Sequence, residues 1–131
     1  YNIPFTACHE LSHLRGFMQE EEANFIAWLA CQDAPETELQ YSGSMLAWIH
    51  CMNVLYEEDR AAWSEIREIL SEEADVDLRA NSEFWDKWDG AVAEVSEQIN
   101  DNYLKANGQK DGVQSYGRMA DLVVAYYLWE E

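Results

Sequence analysis

Basic residues are scarce: Lys and Arg together number 8 against 26 Asp and Glu, a formal charge of −18. A phosphate backbone as partner is therefore disfavoured, because such binding is driven by Lys and Arg displacing counterions. A polybasic membrane patch is disfavoured for the same reason. Long apolar runs are missing too. The longest, Leu122 to Trp129, falls far short of the ~20 residues that span a bilayer, and the opening residues do not read as a signal peptide. Cysteine is limited to Cys8, Cys31 and Cys51, an odd number at irregular spacing, which argues against a disulfide framework or a CxxC metal pattern. Each lies in an apolar stretch and reads as a buried thiol. Proline occurs only at positions 4 and 35, and no stretch alternates in the manner of a strand.

What is present is enough to build a core. Of 131 residues, 48% are apolar and 13% aromatic, which excludes disorder as the main description. Helical spacing recurs along the chain. A first helix is expected from Pro4 to about Gly16, and a second carries Ala23, Phe25, Ile26, Leu29 and Ala30 up to the Asp33-Ala34-Pro35 break. Ser42 reads as the cap of a third, apolar nearly all round and therefore central. A fourth carries Trp63, Ile66 and Leu70. Trp85, Trp88, Val92, Val95, Ile99 and Tyr103 mark a fifth, and Tyr116, Met119, Leu122, Val123 and Tyr127 a last one. The expectation is a single all-α domain over residues 1–131, of five to six helices, with the metal site between the first two. The Trp and Tyr stripes read as core, and the acidic clusters Glu57-Glu58-Asp59 and Glu72-Glu73-Ala74-Asp75 as solvated surface.

The chemistry concentrates in Cys8-His9-Glu10-Leu11-Ser12-His13-Leu14-Arg15-Gly16. Four residues make a little over one helical turn, so His9 and His13 project from one face and can grip one Zn²⁺. Glu10 lies one step round, placed to act as general base on a water. A catalytic zinc takes three protein ligands and leaves a fourth position open. Beyond the turn at Gly16 comes Glu20-Glu21-Glu22-Ala23-Asn24, where a carboxylate can swing back towards the histidines. An Asn one turn later can steady a ligand imidazole through its other nitrogen.

His-Glu-x-x-His followed by Glu-x-x-Ala-Asn resembles the gluzincin metallopeptidases, whose third ligand is a Glu on a separate helix. The resemblance implies His9, His13 and Glu20 as zinc ligands, Glu10 as base and Asn24 as support, with Glu21 and Glu22 as alternative ligands. The longer string from His9 to Phe25 is more similar to a bacterial membrane-anchored subgroup of zinc-peptidase-like proteins, classed only as a domain of unknown function. Tyr41-Ser42-Gly43 and Asp111-Gly112-Val113-Gln114-Ser115-Tyr116-Gly117-Arg118 also look like that subgroup. It implies a soluble domain following hydrophobic anchor helices that this chain does not contain, acting on a peptide or protein substrate and not on nucleic acid. The resemblance departs from familiar gluzincins in two places. Only eight residues precede His9, so the β-sheet edge that aligns the substrate is either missing or lies upstream of this sequence, and the His13-to-Glu20 interval is short. A peptidase also needs an oxyanion donor. Tyr116, after a Gly-rich loop, is the first candidate, with Tyr41 and His50 behind it. The competing function is a zinc-stabilised binding or sensing domain without turnover.

Overall fold

Breaks in the sequence set the order of the helices. The computed structural model describes residues 1–86 and 117–130. The chain is all-α: α1 spans Asn2–Leu14, α2 Glu20–Asp33, α3 Thr37–Glu58, α4 Arg60–Glu68, α5 Glu72–Asp86 and α6 Arg118–Glu130, with no strand among the described residues. None of these helices is long and apolar enough to cross a membrane.

Each connection has a local cause. α1 ends in a Schellman turn: Gly16 takes φ +100°, Phe17 N–H donates to the Ser12 carbonyl at 3.2 Å and Gly16 N–H to the His13 carbonyl at 3.0 Å. α2 stops at Ala34, extended at φ −71° and ψ 142°, because a residue before proline is pushed out of the helical region. Asp59 closes α3 and opens α4, its Oδ1 accepting the Ala61 and Ala62 N–H groups at 3.0 Å each. Ser71 caps α5 in the same way, accepting from Ala74 N–H at 3.3 Å.

One expectation about a helix boundary is corrected. α3 begins at Thr37, so Ser42 lies inside the helix and is not its cap. Its buried hydroxyl accepts the Phe5 N–H at 3.0 Å and donates to the Tyr1 carbonyl, serving the first turn of α1 from across the core. α5, which carries only Trp85 of the expected stripe, starts at Glu72, where the Ser71 cap and three acidic residues in its first turn favour a helix start. The stripe from Trp88 to Tyr103 lies outside the described residues.

Residues 1–63 together with α6 form one compact unit, and residues 64–86 belong to a second. In the first, α1, α2 and α3 pack mutually and α6 packs on α2 and α3. The core gathers Phe5, Trp28, Cys31, Met119 and Val123, each side chain of this size contributing about 1.5–3 kcal/mol on full burial. α2 presents Ala23, Ala27 and Cys31, all fully buried, as a seam of small residues that lets its neighbours approach closely. All three cysteines are free thiols. Burial, with the Cys8 thiol beside it, pushes Cys31 up to about 12, and burial also raises Cys51. In the second unit, Arg67 pairs with Asp75, and Arg79 reaches the same carboxylate at 3.0 Å.

Candidate metal centre

His9 and His13 stand one turn apart on α1, their rings edge to face with centroids 4.6 Å apart and Nε2 atoms 3.0 Å apart. The glycine turn reverses the chain immediately after them, which brings the Phe17 carbonyl to 2.7 Å from His13 Nδ1. A carbonyl can only accept, so Nδ1 carries the proton, and a neutral His13 then directs a bare Nε2 at its neighbours. The same reversal lands the first residue of α2 opposite the pair. The Glu20 carboxylate lies 3.4 Å from His9 Nε2 through one oxygen and 3.4 Å from His13 Nε2 through the other.

Two bare lone pairs facing each other at 3.0 Å would repel, so at least one of the two Nε2 atoms carries a proton. The electrostatics agree. Burial alone would lower the His9 pKa. The hydrogen bond and charge of Glu20, the Asn24 amide and the charge of Glu10 outweigh it, and the net effect is upward. Glu20 is held below the usual carboxylate range by its hydrogen bond to His9, against burial, with the charges of both histidines adding to it. His9 Nδ1 is buried with no hydrogen-bond partner, although the Asn24 side chain lies beside the ring.

The donor set fits a zinc ion. His9, His13 and Glu20 each offer one ligand atom, all within 4.8 Å of one another. Ligands at ~2.0–2.1 Å from a tetrahedral zinc stand ~3.3 Å apart; the two histidine Nε2 atoms are 3.0 Å apart, and each lies 3.4 Å from a different oxygen of the Glu20 carboxylate. Two imidazoles and a carboxylate are also the donor chemistry such an ion takes. Protonation of His9 and metal binding compete for one lone pair.

The remaining candidates separate cleanly. Glu21, next in sequence, turns the other way and pairs with Arg118 at 3.2 Å, and Glu22 is exposed. Glu10, Asn24 and His50 share with His9 the lining of one cavity of about 330 Å³. Tyr41 is exposed on α3 and is not among the residues lining that cavity. Tyr116 lies outside the described residues. The cavity walls that sequence reasoning passed over are Phe5, Thr6 and Leu46. Phe5 and Thr6 precede His9 by four and three residues, so helical spacing alone puts them on the histidine face. Leu46 arrives from α3 and has no local signal.

A family model described as "Protein of unknown function (DUF3810)" matches residues 1–124. The chain belongs to this family. The matched region of the DUF3810 domain contains all three potential ligands and the whole cavity lining. No curated protein and no solved structure matches the chain.

Proposed function

We propose that this DUF3810 domain is a zinc-dependent peptidase of gluzincin type. The observation that carries the reading is the convergence of His9, His13 and Glu20 at a cavity that Glu10 also lines. Zinc held there would acidify a water molecule and polarise the scissile carbonyl. Glu10 receives the proton of the attacking water and returns it to the departing amine. The Phe17 carbonyl fixes the tautomer and orientation of His13, and Asn24, beside the His9 ring, is the side chain that would accept the His9 Nδ1 proton in a hydrogen bond once Nε2 binds the metal. Phe5 and Leu46 offer an apolar wall beside the reacting bond, and His50 is the described candidate for stabilising the oxyanion. The resemblance further supports placing the domain outside the bilayer in a membrane-anchored protein.

A second reading, a zinc-stabilised binding or sensing domain without turnover, draws on one observation: no strand edge exists among the described residues to hold an extended substrate. One experiment separates the two. Elemental analysis of wild type, His9→Ala and Glu10→Gln after dialysis should find about one zinc per chain in wild type and Glu10→Gln, and none in His9→Ala. Peptide hydrolysis present in wild type and absent in Glu10→Gln supports the peptidase. Zinc without hydrolysis in either protein supports the binding domain. A wild-type protein that neither contains nor takes up zinc sinks both.

A further inference from the structure

A second concavity, unrelated to the metal centre, opens between α2 and α6. It has a volume of about 610 Å³ and is lined in part by Trp28, Tyr126, Tyr127, Ile26, Leu29 and Asp33. That size falls in the range of small-molecule sites. Three of its walls are aromatic, and the rings do not stack. Trp28 and Tyr126 are 5.2 Å apart at 87°, Tyr126 and Tyr127 5.8 Å apart at 80°, and Trp28 and Tyr127 5.8 Å apart at 59°. The three are graded in depth: Trp28 is 2% exposed and forms the floor, Tyr126 is half-buried, and Tyr127 is 58% exposed at the rim. Trp28 closes the bottom as a core ring, so the aromatic surface open to a ligand is that of Tyr126 and Tyr127, and an aromatic quadrupole holds a cation within ~6 Å of a ring centroid.

The polar part of the lining has one sign. Asp33 stands exposed at the edge, and no Lys or Arg is among the described lining residues. Gln32, also in the lining, already donates its amide hydrogens to the Gln40 carbonyl at 3.3 Å and to Ser44 Oγ at 3.1 Å, so it has only an acceptor to offer a ligand. The chain as a whole carries −18, which draws cations to its surface. Aromatic walls, a carboxylate and no competing cation select against anions and reward a soft, weakly hydrated positive charge. Ile26 and Leu29 extend the cavity with apolar surface for an alkyl portion.

We infer that the α2–α6 cavity of Trp28, Tyr126, Tyr127 and Asp33 is a binding site for a small organic cation of the alkylammonium class. A free small molecule is the occupant because the open concavity has a volume in the small-molecule range and a carboxylate at its edge to pair with a single positive charge. The test is isothermal titration of the whole chain with choline and with its neutral isostere 3,3-dimethylbutan-1-ol. Choline should bind about tenfold more tightly than the alcohol. Tyr127→Leu, which keeps an apolar rim but removes the ring, should reduce choline affinity roughly fivefold and leave the alcohol unchanged. Asp33→Asn should weaken choline alone, and added salt should do the same to wild type. Both positions are exposed, so these variants should keep the wild-type circular dichroism spectrum. Equal affinity for choline and alcohol would overturn the inference, as would no heat with choline up to about 50 mM. Co-sedimentation with phosphatidylcholine vesicles that free choline cannot compete away would overturn the small-molecule assignment.

Discussion

Gly43 on α3 faces Cys31 on α2 so closely that a methyl group at position 43 would lie 2.5 Å from the Cys31 Cβ. Both atoms would be fixed to helix backbones, so neither could swing aside. Alanine would gain about 0.5–1 kcal/mol of helix propensity over glycine, but overpacking a tight core costs about 1–3 kcal/mol. The clash should win. Gly43→Ala is expected to lower the urea midpoint with an unchanged m-value. A midpoint equal to or above wild type would show that the α2–α3 seam can open at little cost.

Ser42, the neighbour of that glycine, makes a second prediction. Ser42→Ala removes the side-chain acceptor of the Phe5 N–H and leaves it only the Tyr1 carbonyl that opens α1. Losing one such hydrogen bond costs about 0.5–1.5 kcal/mol. Amide exchange at Phe5 should accelerate more than exchange in the middle of α2. Uniform acceleration would mean that the contact does not specifically hold the first turn of α1.

The three adjacent glutamates should part company in metal uptake. Glu20→Gln is expected to weaken zinc binding by at least about tenfold in competition with a chromophoric chelator. Glu21→Gln weakens its pair with Arg118 and lies off the metal face, so it should leave zinc affinity within roughly twofold. Glu22→Gln should change neither. A larger loss in Glu21→Gln than in Glu20→Gln would reassign the carboxylate.

Asp75 supplies a pH dependence. The hydrogen bond from Arg67, opposed by desolvation and then aided by the charges of Arg67 and Arg79, holds its carboxyl below the usual range. A carboxylate whose folded pKa is depressed adds stability above its unfolded pKa, ~3.9, and loses it as pH falls through the folded value. Asp75→Asn should therefore melt below wild type at neutral pH, and the two melting temperatures should converge as the solution is acidified past that range. A gap that persists at pH ~2 would assign the contribution to packing instead.

The part of this molecule that was readable in sequence is the part fixed by neighbours along the chain. Pro4, Gly16 and Pro35 punctuate the first two helices, and the four-residue histidine spacing needs nothing but helical geometry. Ser42 misled because its hydroxyl is a cap in chemistry but not in position. It serves the N-terminus of α1, 37 residues away in sequence from Phe5, a relationship no local window contains. Adjacent residues on a helix point ~100° apart, so only one of Glu20, Glu21 and Glu22 can face α1. Which one depends on how the Gly16 turn delivers α2, and three identical side chains in a row give no hint. Likewise, the aromatic residues of α2 and α6 read as core, which Trp28 is. That Tyr127 stands at an open rim depends on where α6 comes to rest.

The α1–α2 hairpin has a consequence for the order in which the molecule assembles. All three donors fall between positions 9 and 20, closed by a single glycine-centred reversal. Bringing together ends so near in sequence costs little chain entropy compared with the contacts that α6 makes on α2 and α3 from the far end of the chain. The donor constellation is thus a low-contact-order feature within a fold completed by long-range contacts. Its donors can therefore meet before α6 has docked, while Ser42 of α3 and Arg118 of α6 secure the two helices that carry them.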